Sequence, residues 1–130
     1  MNLFTSYFGR HRTPDKNTLY LAITAYPPKW WSGDVYSKVA PPKELVLYYK
    51  NSKARLDQEE LRKEYILYYK QAVLDKLSPA DVYSELESMM MRRNKENVVL
   101  LCFETSNNFC HRHILSTWFR LNGLHCEELI

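Results

Sequence analysis

Six consecutive residues, Val98-Val-Leu-Leu-Cys-Phe103, are apolar. A strand without polar alternation needs cover on both faces, the situation of a parallel strand inside an α/β sheet. A short polar turn follows, Thr105-Ser-Asn-Asn108, and then Cys110-His-Arg-His113 opens a helix. Three-and-four spacing assigns Ile114, Trp118 and Leu121 to the buried side of that helix, which stops at Asn122-Gly123. Strand, turn and helix in this order restrict the chain to architectures that feed a strand's carboxyl end directly into a helix.

The other segments agree. Leu3–Phe8 and Thr18–Thr24 are rich in β-branched and aromatic residues and read as strands. The prolines of Tyr26-Pro-Pro-Lys-Trp-Trp31 forbid both helix and ladder, so a loop runs on to Ala40. Pro41-Pro42 sets up a short helix with Leu45, Tyr48 and Tyr49 as its apolar stripe. A longer amphipathic helix spans residues 58–77, with Leu61, Tyr65, Tyr68, Tyr69, Ala72 and Val73 at helical spacing. Ser78-Pro79 starts a third helix, carrying Val82, Leu86, Met89 and Met90 inward and closed by Arg92, Arg93 and Lys95. Leu124–Ile130 reads as a last strand at an edge. The expected fold is a small three-layer α/β sandwich. It forms one domain over residues 1–130, with a mostly parallel four- to five-stranded sheet and helices on both faces.

Composition excludes several classes. With 45% hydrophobic residues, ten of them Tyr, the chain holds enough apolar surface to fold. A net charge of +3 suits an anionic ligand but falls short of a dedicated DNA binder. No apolar run reaches the roughly 18 residues of a membrane span. The basic residues Arg10 and Arg12 follow the first apolar stretch, the reverse of a signal peptide. Three cysteines do not make a disulfide framework. These features point to a reduced, cytoplasmic protein without a membrane association.

The helix start at Cys110 concentrates the chemistry. Unpaired amides and the positive end of the helix dipole favour anions there. Arg112 opposes that dipole at a cost of about a few tenths of a kcal/mol, which calls for an anionic partner, either a ligand or Glu104. Cys110 is a candidate nucleophile with His111 as its base. The alternatives are a buried small hydrophobe for Cys110 and a hydrogen bond to a neighbouring loop for His111, while His113 faces solvent. Ligands of open parallel sheets bind beyond the strands' carboxyl ends. There Thr5, Ser6 and Tyr7 approach from the first strand, and Tyr26 and Lys29 from the second. Tyr26, Lys29 and Trp30 form either a stacking platform for a base or a cap on the sheet end. A tyrosine-phosphatase or rhodanese loop does not fit, because the helix begins at the cysteine itself. Cys102, Cys110, His111, His113, His125 and Cys126 have no paired zinc-ligand spacing, and Cys102 and Cys126 fall within strands as core residues; neither a metal nor a cofactor is expected.

One resemblance covers almost the whole chain. The run Leu100-Leu-Cys-Phe-Glu104, a polar turn, Phe109-Cys-His-Arg-His113 and Trp118 resembles the domain of unknown function 488 family (YeaO-like), in its short bacterial and phage branch. Phe4–Phe8, Tyr26–Trp30, Ala40-Pro41, Glu64–Lys70 and Leu77–Pro79 follow in that family's order. Ala25 stands where similar proteins often carry a basic residue. The resemblance implies a compact α/β fold, no settled activity and a suspected link to nucleotides or nucleic acid.

The functional expectation is a pocket for a phosphorylated small molecule, a nucleotide or a nucleobase. Arg112 and the helix amides hold the anion, Glu104 and His111 set orientation, and Trp30 or Tyr26 covers the base. A cysteine-dependent hydrolase or transferase using Cys110 and His111, and a protein-interaction module binding a host partner, are the alternatives.

Overall fold

The computed structural model describes residues 1–24, 26–52, 57–103 and 110–129. Ala25, Glu104 and Phe109 lie outside them. The described elements run β1 (Asn2–Tyr7), β2 (Thr18–Ala22), β3 (Asp34–Val35), α1 (Lys43–Ser52), α2 (Gln58–Ala72), α3 (Pro79–Arg92), β4 (Asn97–Cys102), α4 (His111–Leu121) and β5 (Glu127–Glu128). They build an α/β sandwich around a five-stranded sheet of order β3-β2-β4-β1-β5. All four pairings are parallel.

The continuously apolar strand occupies the centre, as its composition requires. β4 pairs with β1 from Asn2↔Asn97 to Tyr7↔Cys102, and with β2 from Thr18↔Asn97 to Ala22↔Leu101. Side-chain alternation splits its burial between two faces. Val98, Leu100 and Cys102 join Leu3, Leu19, Leu21 and Ile23 under residues from all four α-helices, including Leu45, Tyr69, Leu86 and Phe119. Val99 and Leu101 join Ala22 and Phe8 on the other face, with Trp31 and Leu129 packed against them. The layers are therefore unequal: helices on one side, a short 3-10 turn and an aromatic loop on the other.

Connection direction explains this asymmetry. From β1 the chain steps over β4 to β2 and on to β3, then returns to β4 and continues past β1 to β5. Right-handed crossovers place the outward and return connections on opposite faces. The outward leg carries the 3-10 turn Phe8–His11 and the Trp30-Trp31 loop, and the return leg carries the α-helices. Ser78 caps α3 by accepting from the Asp81 amide, with Pro79 in the first turn, as the sequence reads. Asp57 likewise caps α2 through the Glu59 amide.

Several boundaries differ from the sequence reading. The 58–77 helix ends at Ala72, where Val73 leaves helical geometry and a 3-10 turn, Leu74–Lys76, takes over. A two-residue strand, Asp34–Val35, stands inside the expected loop and pairs with Leu21 and Ala22. The last strand shortens to Glu127–Glu128, at the edge beside β1 as expected.

The buried side of α4 is also different. His111, Arg112, Leu115, Ser116 and Phe119 point inward, while Leu121 is 78% exposed. Ile114 and Trp118 are half-buried against the core as expected, and with the exposed Leu121 they line a surface groove beside Ile66 and Leu74. Gly123, at φ 73°, ends this helix in the left-handed conformation that glycine adopts without penalty. No helix among the described residues is long and apolar enough to cross a membrane.

Candidate functional site

β4 ends at Cys102 between two strands whose outgoing chain leaves by the opposite face. Such a reversal opens a crevice beyond the strands' carboxyl ends, where ligands of open α/β sheets bind. Here the crevice has a volume of about 150 Å³. Cys102, Cys110 and His111 form its inner end; Thr24, Tyr49, Lys50 and Tyr65 line the rest together with Phe103.

Cys102 is buried in the core as the sequence reads, and it is the last residue of β4, at the point where the sheet meets α4. A disulfide joins it to Cys110, the N-cap residue of α4, with Cα atoms 7.5 Å apart. The expectation of free thiols is thus corrected for these two, because strand end and helix start converge; Cys126 remains free and buried. Burial pushes the Cys126 thiol up to about 11.

His111 connects this corner to β2. Its Nε2 lies 2.6 Å from the Ile23 carbonyl oxygen. A carbonyl only accepts, so Nε2 carries the ring proton and Nδ1 keeps its lone pair. That Nδ1 is 3.6 Å from Cys110 Sγ. Burial pushes the imidazole down to about 4 against the Ile23 hydrogen bond, with the charges of Arg112 and His113 adding to the depression. His111 is therefore a neutral base inside the protein, and the loop-bonding alternative read from the sequence describes its Nε2 side.

Arg112 takes a different place from the one expected. Its side chain has 0% exposure. Nε donates to both carboxylate oxygens of Glu128 at 3.1 Å, and Nη2 stands 3.0 Å from Oε2. Thr5 donates its hydroxyl to the same carboxylate at 2.6 Å. Nη1 lies 3.0 Å from Cys102 Sγ. The guanidinium thus serves a carboxylate and a sulfur inside the protein, and it is not among the described residues that line the crevice. Arg112 was expected to hold an anion or pair with Glu104; among the described residues its carboxylate partner is Glu128.

The remaining candidates scatter. Ser6 alternates to the thin-layer face, where it pairs with His11 Nε2 at 2.9 Å. Tyr7 is half-buried and stands in register with Cys102. Tyr26 and Lys29 are exposed, and the Lys43 ammonium sits 5.9 Å from the Tyr26 ring. Trp30 packs edge-on against Phe8 and Trp31, with the Arg12 guanidinium 4.7 Å above its ring. It lines a separate groove with His11, Arg12 and Tyr20. Neither Trp30 nor Tyr26 reaches the cysteine crevice, and Glu104 lies outside the described residues.

Sequence reasoning missed Lys50, Tyr49, Tyr65 and Glu128. Lys50 and the two tyrosines sit on helices where packing and solvation explain them equally well. Glu128 lies in a short edge strand with no local motif. For Cys102 a signal existed: a cysteine closing an apolar strand just before a polar turn stands at the carboxyl edge of the sheet.

No curated protein and no solved structure matches this chain. A family model described as the active DUF488-N3 subclade matches residues 4–123. That match spans nearly the whole sandwich, including β4, α4 and the crevice between them, so the chain belongs to the domain of unknown function 488 family.

Proposed function

We propose that the crevice beside the carboxyl end of β4 binds a flat small molecule, a nucleobase or the base of an anionic mononucleotide. The carrying observation is its lining: Tyr49, Tyr65 and Phe103 offer ring surfaces, and Lys50 offers a cation, at the reversal point of the sheet. Size supports a single ring. About 150 Å³ is below the roughly 300–1,000 Å³ of pockets for drug-sized ligands. A base fits inside, with its phosphate left outside near Lys50, whereas a dinucleotide does not fit. Thr24 supplies a polar edge for orientation.

Ligand-induced thermal stabilisation tests this reading. A base or mononucleotide raises the melting temperature of the wild type, Lys50→Ala weakens the shift, and Trp30→Ala leaves it unchanged. Wild-type protein giving no shift with any base, nucleotide or short oligonucleotide overturns it.

A second reading, a cysteine-dependent hydrolase or transferase, is favoured by the contact of the unprotonated His111 Nδ1 with Cys110 Sγ. Reduction of the disulfide is its precondition. Iodoacetamide labelling of the reduced protein checks it: a Cys110 thiol reacting fully below about pH 7.5 supports this chemistry, and an inert one excludes it.

A further inference from the structure

The sulfur and nitrogen atoms at the inner end of the crevice suit a metal ion better than their sequence spacing suggests. The ligand atoms of Cys102, Cys110 and His111 all lie within 4.8 Å of one another. The three residues are buried, and they come from two segments, the end of β4 and the start of α4. We propose that, once the disulfide is reduced, Cys102 Sγ, Cys110 Sγ and His111 Nδ1 bind one thiophilic divalent cation of the zinc class, with its fourth position open to the crevice. This inference rests on the crevice being the functional site.

The imidazole geometry is the first support. A metal-binding histidine usually donates its second ring N–H to a carbonyl or carboxylate, which fixes the tautomer and aims the lone pair. His111 does this with the Ile23 carbonyl. With Zn–S near 2.3 Å and Zn–N near 2.05 Å, a tetrahedral site has an N···S edge of about 3.5 Å. The Nδ1···Sγ separation to Cys110 is 3.6 Å. The same geometry sets two ligand sulfurs about 3.8 Å apart. The Cα atoms are 7.5 Å apart, beyond the ~4.4–6.8 Å usual for bridged cysteines, so the backbone already leaves room for an ion between the two sulfurs.

The surroundings are the second support. Arg112 Nη1, 3.0 Å from Cys102 Sγ, favours the thiolate form a metal needs, and Glu128 fixes that guanidinium in turn. Two thiolates and a neutral imidazole are a soft donor set, suited to zinc and poor for magnesium or calcium. Three protein ligands beside an open cavity are the pattern of a catalytic zinc, which keeps one position for water or substrate.

The chemistry balances. A phosphine reductant cleaves the S–S bond with one water, giving two thiols and a phosphine oxide. Metal uptake then displaces both thiol protons into solvent and leaves the imidazole neutral.

The test is an anaerobic titration of the reduced full chain with Co²⁺. The expected result is one equivalent bound, with a sulfur-to-cobalt charge-transfer band, the strong visible bands of a tetrahedral ion, and displacement by one equivalent of Zn²⁺. Cys102→Ser and Cys110→Ser each weaken the charge-transfer band and lower affinity by about 100-fold or more, with circular dichroism confirming the fold. Cys126→Ser and Lys50→Ala leave the spectrum unchanged, so loss of ligand binding in Lys50→Ala with intact cobalt binding separates this inference from the base-binding reading. A folded, reduced protein that takes up no Co²⁺ overturns the proposal, as does a spectrum indifferent to both Cys102→Ser and Cys110→Ser.

Discussion

Glu128 in β5 holds the guanidinium of Arg112 in the first turn of α4 through contacts of 3.0–3.1 Å. The arginine is fully buried and the carboxylate is 19% exposed. Desolvating such a pair costs nearly what the attraction returns, but removing one partner leaves a buried charge uncompensated, at about 3–5 kcal/mol. Glu128→Gln is expected at the lower end of that range because the carboxylate keeps some water. The double variant Arg112→Met, Glu128→Leu is expected to be more stable than Glu128→Gln alone. Urea unfolding of the three proteins measures both differences.

The helix phase of α4 sets a second expectation. Phe119 is fully buried while Leu121 is exposed. Phe119→Ala is expected to cost about 3–5 kcal/mol. Leu121→Ala should stay within about 0.5 kcal/mol. Equal losses at the two positions in thermal unfolding would contradict this packing.

Tyr69 donates its hydroxyl to the Val39 carbonyl at 2.6 Å, with both residues buried. Tyr69→Phe removes the donor hydroxyl from that buried carbonyl, a loss of about 1–3 kcal/mol. Denaturant midpoints with an unchanged m-value would report it cleanly.

Acid sensitivity is expected from His11, whose pKa is lowered by burial and then by Arg10. The unfolded chain takes up this proton near 6.5, the folded protein at a lower pH. The contribution is therefore absent above 6.5 and turns destabilising as the pH falls below it toward the folded value. Stability measured from pH 7.5 down to 5.5 should fall less steeply in His11→Asn than in the wild type. Identical slopes would remove His11 from the account.

Much of the sandwich was legible in the sequence. β4 announced itself by continuous apolarity, and α3 by its Ser-Pro start. The phase of α4 was not legible, for a physical reason. Its inward stripe contains His111, Arg112 and Ser116, which periodicity scores as solvent-facing. They are buried because distant groups satisfy them: Ile23, Glu128 and the Cys126 carbonyl. No local pattern encodes a hydrogen bond across 88 residues, as between His111 and Ile23. The site was half legible for the same reason. Cys110 and His111 line the crevice from the helix start and Cys102 from the end of the apolar strand, whereas Lys50 joins them only through the packing of α1.

Order along the chain has a consequence for biogenesis. Arg112 is synthesised before Glu128, and the strand carrying Glu128 pairs with β1, made long before either. Until that late strand arrives, burying the arginine would leave its charge without a counter-ion. Closure of the corner that holds the cysteines is therefore favoured once β5 has docked on β1, which couples its assembly to completion of the sheet edge.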